Sequence, residues 1–459
     1  NYDHMKTNKT QPFRNKKVLI FGLGLLGGGV ATANWFIKQG AKVTITDLKN
    51  AKQLAPSIKQ LKGKYKLALG KHKVSDIKTA DIVVLNPGVP ANHPLLKKAK
   101  QVVNEATIFY NSFPGKIVGV TGTRGKTTTA NWIAHLIGKE VILAGNNPEH
   151  AFLKAIEAKA ANEASEAVTE MSSFSLELFT PETRKPDIAV ITNIYQDHFN
   201  RYKNYRDYVA TKANLFINQK ADQHVILNYD NSWTSHLLSL PHKSNEWFFS
   251  LTKLPEKFDG LHYENGRGYF LGKPVLELAK FSATWGNHNV ENLLAAALAA
   301  HLSGVSWTDI QSKLSTMPNV PFRQEVVFQN NHLTIINDTT ATSPEGTIAA
   351  VKRFGSPTTV LITGGTDRML EYKTWAKIIL NYIVPEHIVL LDGSATKKML
   401  HALNKKLHTY PTLKICLEAA LAMGPHVILF SPGSKSFEKF TNEYDRGEQF
   451  NALVKRLIK

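Results

Sequence analysis

The chain has 459 residues, enough for about three domains at roughly 150 residues each, and its 43% hydrophobic and 20% charged residues match an ordinary globular protein. No apolar run approaches the roughly 20 residues of a membrane span, and a single cysteine, Cys416, excludes a disulfide framework and a cysteine metal cluster. The formal charge of +19 comes from lysines scattered along the chain, which reads as a solvated surface able to steer small polyanions rather than as a nucleic-acid footprint. Residues 1–16 are polar and basic without an apolar core, so no secretory signal is expected. Residues 1–4, ahead of Met5, read as an expression remnant, and a cytoplasmic enzyme fits these features.

The first region opens with an apolar strand at 17–21, then Gly22-Leu23-Gly24-Leu25-Leu26-Gly27, a helical stretch at 30–39 and a strand at 41–47. Asp47 falls 20 positions past the third glycine, which completes a dinucleotide-type βαβ pattern. A nicotinamide cofactor is not required by it, because the same helix N-terminus could equally hold the diphosphate of another nucleotide. A buried strand at 81–85 ends at Asn86-Pro87-Gly88, where open α/β sheets present ligand loops.

The second region carries the strongest signal. An apolar strand at 116–120 leads into Gly119-Val120-Thr121-Gly122-Thr123-Arg124-Gly125-Lys126-Thr127-Thr128-Thr129, with a helix expected over 128–137. Glycines let successive N–H groups converge on phosphate oxygens, Lys126 reaches the β/γ-phosphates, and Thr127 offers a hydroxyl to Mg²⁺. The strict spacing would place glycine at Val120, so this is a variant P-loop. Two further short strands, at 167–171 and 187–192, run into Glu170-Met171-Ser172-Ser173 and Asn193-Ile194-Tyr195-Gln196-Asp197-His198. Alone, Glu170 reads as a surface acid or helix cap and His198 as a core histidine. Together, at strand ends downstream of a P-loop, they favour a Mg²⁺ site.

In the third region, strands at 333–337, 359–363, 387–391 and 426–430 end in Asn337-Asp338-Thr339-Thr340-Ala341-Thr342, Gly364-Gly365-Thr366-Asp367-Arg368, Asp392-Gly393-Ser394 and Ser431-Pro432-Gly433-Ser434-Lys435-Ser436. Hydroxyls and cations at successive strand tips make an edge suited to an anion. The expected fold class is therefore α/β in three domains. These are a Rossmann-like domain at 1–110, a central P-loop mononucleotide-binding domain at 111–318, and a C-terminal Rossmann-like domain at 319–459.

The ordered set GVTGTRGKTTT, EMSSFSLE, NIYQDHFNRY, GNHNVEN, PFRQE, NDTTATS and SPGSKSFEKF resembles the Mur ligase family over essentially the whole chain, most closely its D-glutamate-adding branch. The resemblance implies an ATP-dependent amide-bond-forming ligase of peptidoglycan precursor synthesis, taking UDP-N-acetylmuramoyl-L-alanine, glutamate and ATP through an acyl phosphate. It implies Gly122, Thr123, Arg124, Gly125, Lys126, Thr127 and Thr128 around the phosphates, and Asn289 and Asn292 beside adenine, where helix capping is the simpler role for Asn289. Arg323 and Asp338 would reach ATP from the third domain on closure. Two Mg²⁺ sites would use Thr127, Glu170, His198 and a carbamylated Lys212. On the UDP-sugar side it implies Leu25, Leu26, Asp47, Leu48, Lys49, Asn86, Pro87, Gly88, Asn146, Ser172 and Ser175.

The acceptor pocket would comprise Thr340, Thr342, Arg368, Ser436, Phe437 and Glu443. It departs most from the family pattern: Thr340 stands for a lysine, Arg368 for a lysine, and Glu443 for a phenylalanine. Arginine binds a carboxylate with a planar fork and does not replace lysine neutrally, so D-glutamate is expected with L-glutamate as the alternative. A folylpolyglutamate-synthase-like ligase would share the P-loop but not the region 22–47. A non-catalytic P-loop protein that binds nucleic acid would not need Glu170, His198, Lys212 and Asp338 at once. A nicotinamide-dependent dehydrogenase is the weakest alternative, because a second complete nucleotide site is present. The family implies a monomer.

Overall fold

The computed structural model describes residues 13–458 except 26, 139, 146–150, 158–165, 196–200, 203 and 368. The calls on Leu26, Asn146, His198 and Arg368 lie outside the described residues. The chain divides into two compact units between Met317 and Pro318.

The first unit holds two sheets. Its N-terminal sheet is all parallel, in the order β3-β2-β1-β4-β5, from β1 (Lys17–Phe21), β2 (Lys42–Asp47), β3 (Tyr65–Leu69), β4 (Ile82–Leu85) and β5 (Val102–Val103). Strands 1 and 4 read as unbroken apolar runs because both faces are covered, as parallel sheets require. Val18, Ile20, Ile82 and Val84 pack into one core, and Leu19, Phe21, Val83 and Leu85 into another.

The second sheet runs β14-β13-β12-β11-β10-β9-β6-β8-β7. Its parallel part comprises β6 (Lys116–Thr121), β7 (Val141–Gly145), β8 (Glu166–Glu170), β9 (Ile188–Ile191), β10 (His224–Asn228), β11 (Asn245–Ser250) and β12 (Gly260–Glu264). Two antiparallel strands, β13 (Arg267–Phe270) and β14 (Lys273–Glu277), finish the edge. Alternate residues again feed two cores, Val118, Val168 and Val190 on one side and Ile117, Ala167 and Ala189 on the other. The region 224–277 carried no strand expectation. Its hairpin turn Asn265-Gly266, with φ of 49° and 80°, is a recognisable two-residue turn signal.

The second unit has a mixed sheet in the order β15-β16-β20-β17-β18-β19. Its strands are β15 (Glu325–Gln329), β16 (Thr334–Asn337), β17 (Thr359–Thr363), β18 (Ile388–Leu391), β19 (Thr409–Tyr410) and β20 (Val427–Phe430), and the β15–β16 pair is antiparallel. Cores lie on both faces, around Ile336, Leu361 and Leu429 and around Ile335, Val360 and Ile428. The expected α/β class with parallel-cored sheets holds throughout. Helix starts shift by two residues where a glycine precedes them: Gly28–Lys38 begins after Gly27 at φ 86°, and Lys126–Ile137 after Gly125 at φ 77°.

Candidate active site

The phosphate loop follows from the register of the second sheet. Strand β6 lies between β8 and β9, so Thr121 at its end meets the tips of both neighbours. The Thr121 hydroxyl donates to Met171 O at 2.8 Å, the Thr123 N–H to Asn193 O at 2.9 Å, and the Arg124 N–H to Asn193 Oδ1 at 2.8 Å. Thr192 Oγ1 donates to Arg124 O at 2.6 Å. These four hydrogen bonds tie the loop to the chain at the tips of β8 and β9. Gly122 (φ 153°) and Gly125 (φ 77°) are required twice over: each has a positive φ, and a Cβ there would collide with Thr192 Oγ1 or Asn292 Oδ1. Lys126 Nζ donates to Thr123 O at 3.2 Å, which folds it back over the loop, and Thr127 and Thr128 enter the first helical turn, Thr127 buried.

Around this loop stand the other sequence-derived candidates of the first unit. Glu170 ends β8 opposite Val120 in the ladder, one residue from the loop's first threonine. Lys212 is buried (1% exposed) in the helix Tyr205–Ala213, and its Nζ donates to Gly122 O at 2.8 Å while lying 4.7 Å from the Tyr208 ring. A lysine that would pass as ordinary helix surface therefore contacts the phosphate loop itself. Asn289 and Asn292 sit in the first turns of the helix Asn287–Leu302, which Gly286 caps, so Asn289 does not. Asn289 donates to Trp285 O at 3.1 Å, and Asn292 Nδ2 to Asn289 Oδ1 at 3.2 Å.

At the tips of the N-terminal sheet, Asp47 accepts N–H groups from Leu23 (2.9 Å), Gly24 (3.0 Å) and Lys49 (2.9 Å). Burial pushes its carboxyl up, yet these backbone donors and the Lys49 charge hold it below the usual range. Leu25, Leu48 and Lys49 are exposed beside it. Asn86 accepts the Gly88 N–H at 3.0 Å, which shapes the exposed Pro87-Gly88 turn. Ser172 caps the short helix Ser173–Leu176 by accepting the Ser175 N–H at 3.0 Å, and the two hydroxyls lie 2.9 Å apart. Sequence reasoning missed His72, which bonds Thr46 Oγ1 at 2.9 Å and stacks on Phe21 at 4.0 Å. Burial, then the neighbouring His93, lowers its pKa.

In the second unit, Asp338 follows β16 and accepts from Ser431 Oγ (2.7 Å) and the Gln324 N–H (3.1 Å). Burial raises its pKa to about 7 against these bonds and the charges of Arg323 and Arg353. Arg323 sits half-buried between Phe322 (φ 64°) and Gln324 (φ 51°), two non-glycine residues in the left-handed region. Such strain gathers at functional turns. Thr340 donates to Phe322 O at 2.7 Å, and Thr342 is half-buried nearby in sequence. Ser436 is 2% exposed, and its hydroxyl and that of Ser434 make no hydrogen bond among the described residues, an unmet capacity of the kind a carboxylate fills. Phe437 is exposed, and Glu443 pairs with Lys435 at 3.2 Å. Burial pushes the Glu443 carboxyl up, but Lys435 and its own N–H keep it below the ordinary value.

Arg446 was missed altogether. Fully buried, it donates to Thr339 Oγ1 and O at 2.9 and 2.7 Å, and to Ser434 O and Lys435 O at 3.2 Å. Its signal lay in the helix Glu443–Leu457, where a cation four positions past the N-cap falls on the same stripe as Phe450 and Val454. Burial lowers its pKa to about 10.

Loop, helix terminus and strand tips together define a P-loop enzyme that uses a nucleoside triphosphate. The Mur ligase middle domain matches residues 120–300, and the Mur ligase MurD-like N-terminal domain matches residues 16–107. UDP-N-acetylmuramoylalanine–D-glutamate ligases of Roseiflexus sp. (strain RS-1) and Borreliella burgdorferi (strain ZS7) are each 34% identical to this chain, covering 96% and 97% of it and 98% of their own lengths. Two solved structures share its fold at 18% identity: the MurF ligase of Thermotoga maritima in complex with ADP (TM-score 0.57, 96% of both chains) and UDP-N-acetylmuramate–alanine ligase MurC of the same organism (TM-score 0.56, 96% of this chain and all of that one). The chain belongs to the Mur ligase family and is an ATP-dependent amide-bond-forming ligase.

Proposed function

We propose that this ligase joins D-glutamate to UDP-N-acetylmuramoyl-L-alanine in the cytoplasm, as a monomer, with residues 1–110 taking the nucleotide sugar, 111–318 ATP and 319–459 the amino acid. The observation that carries the reading is the loop from Gly122 to Thr127 with Lys212 bonded to its backbone, in a chain whose full-length relatives bear that name. A substrate carboxylate oxygen attacks the γ-phosphorus of ATP, ADP leaves, and an acyl phosphate forms. The amine of glutamate then attacks the acyl carbon, loses a proton, and expels phosphate from the tetrahedral intermediate.

Two anions must be brought in line, so catalysis rests on positioning and charge neutralisation. Lys126 and the loop N–H groups take the β/γ-phosphate charge. The oxygen donors Thr127 and Glu170 suit a hard cation, and Mg²⁺ held there, with His198, would supply further neutralisation of the phosphates. Addition of CO2 to the neutral amine of Lys212, with loss of a proton, would convert a buried cation into a carbamate, a further and anionic oxygen ligand. The bare hydroxyls of Ser434 and Ser436 suit the acceptor's side-chain carboxylate.

The test is phosphate release from ATP with UDP-N-acetylmuramoyl-L-alanine and D-glutamate, L-glutamate or no amino acid, with product masses. Release with D-glutamate is expected. Release with L-glutamate alone would assign the changes at Thr340, Arg368 and Glu443 to acceptor handedness, and silence with every acceptor would overturn the nucleotide-sugar assignment.

A further inference from the structure

A half-buried ion pair joins the loop after β4 of the N-terminal sheet to the segments that follow β8 and β9 of the phosphate-loop sheet. Glu177 follows the short helix that Ser172 caps, and Arg201 follows the segment that leaves β9. Their side chains are 11% and 12% exposed. The two meet as a fork: Arg201 Nε donates to Glu177 Oε1 and Nη2 to Oε2, both at 2.8 Å. Arg201 has donors left over, and they go to the other sheet. Nη1 donates to Pro87 O at 2.9 Å and Nη2 to Val89 O at 3.0 Å. Glu177 also accepts the Tyr202 hydroxyl at 3.0 Å and the Ala91 N–H at 3.2 Å, and the guanidinium lies 4.4 Å from the centre of the Phe174 ring.

Four of the five guanidinium N–H donors are used, and they tie the chain after β9, which carries Arg201, to the loop after β4 and to the end of the helix after β8. The loop after β4 is Asn86-Pro87-Gly88, whose carbonyls on either side of Gly88 are the ones held. No lysine can reproduce this geometry, because a point charge cannot make two parallel bonds and two divergent ones in one plane. A fully exposed pair of this kind would contribute little, whereas a largely desolvated two-point fork with two further bonds to main-chain carbonyls dictates where its partners stand.

We propose that Arg201 and Glu177 are positioning residues that set the distance between the nucleotide-sugar loop and the γ-phosphate, so that the substrate carboxylate arrives in line for attack. This rests on the nucleotide-sugar reading above. Among the described residues the pair bonds neither to the phosphate loop nor to the adenine-side asparagines, so its effect falls on one substrate and not on the other.

The experiment compares R201K, E177Q and the double variant with the wild-type chain. It measures kcat and KM for UDP-N-acetylmuramoyl-L-alanine with D-glutamate present, and the affinity for ADP by calorimetry on the same samples. A displacement of about 1 Å costs up to a hundredfold, so a loss of kcat/KM for the nucleotide sugar of roughly tenfold to a hundredfold is expected in each single variant. ADP affinity should stay within about twofold, and the double variant should lose little more than either single one, because they share one interaction. Parallel loss of ADP affinity would overturn positioning in favour of general support of the fold, and unchanged kinetics would overturn it outright. Wild-type silence toward the nucleotide sugar would instead remove the substrate reading, and the clamp's role with it.

Discussion

Gly125 shows how much one residue can decide. Its φ of 77° and the Asn292 side chain beside it disfavour a Cβ, and its neighbours are Arg124 and Lys126, to which the proposed function gives the phosphates. Alanine there has to strain the loop backbone and push the Asn292 side chain aside. We expect G125A to abolish ATP-dependent phosphate release while lowering stability by only about 1–2 kcal/mol, and retention of nucleotide affinity in calorimetry would contradict the role given to the loop. Asp338 makes a second residue-scale case, because its carboxyl titrates at about 7 in the folded chain against 3.8 ordinarily. Between those values the folded state binds a proton that the unfolded state has lost, so the stability it contributes is present below about pH 4 and disappears as pH rises through 7. Unfolding midpoints at pH 5 and pH 8 should therefore differ less in D338N than in the wild type. An identical pH slope in both would show that Asp338 is already ionised in the fold.

At the scale of elements, the strand tips of the second unit are tied together by Arg446, which reaches the carbonyls after β16 and after β20 from the helix Glu443–Leu457. R446M would leave several buried acceptors without donors, and a loss of about 3 kcal/mol or more is expected by chemical denaturation. R446K should recover part of it, and a neutral R446M would mean that water replaces the guanidinium. None of this was legible beforehand, although the strands were. Buried parallel strands announce themselves as unbroken apolar runs such as Val427 to Phe430, and the phosphate loop as glycines in a fixed order, because backbone sterics dictate both. Arg446, Arg201 and His72 act through partners remote in sequence, Arg446 meeting Thr339 across 107 positions, and no local pattern encodes that. Lys212 became visible only through the family resemblance. The strands β10 to β14 were all missed: in β13 and β14 exposed residues blur the apolar run, whereas the buried Val225 to Leu227 of β10 and the Asn265-Gly266 turn were there to be read.

For the whole molecule, the question is what a charge of +19 does in a chain that handles anions. Among the described residues the buried lysines and arginines are Lys185, Lys212 and Arg446, and the others lie at least partly within reach of solvent. No helix among the described residues is long and apolar enough to cross a membrane. Charges spread in this way add little to stability, since exposed pairs are weak, but their summed field extends over a Debye length of about 8 Å at 0.15 M salt and about 30 Å at 0.01 M. Nucleotide sugar, ATP and glutamate are all anions, so the field raises their encounter rate without distinguishing among them. Raising ionic strength from 0.01 to 0.15 M should then lower kcat/KM for the nucleotide sugar by about threefold to tenfold through KM, with kcat nearly constant, because bound substrate is screened much less. Retention on duplex DNA should vanish over the same range. Were DNA held at physiological salt while kcat/KM stayed flat, the surface charge would have to serve a polyanionic partner rather than the ligase's own substrates.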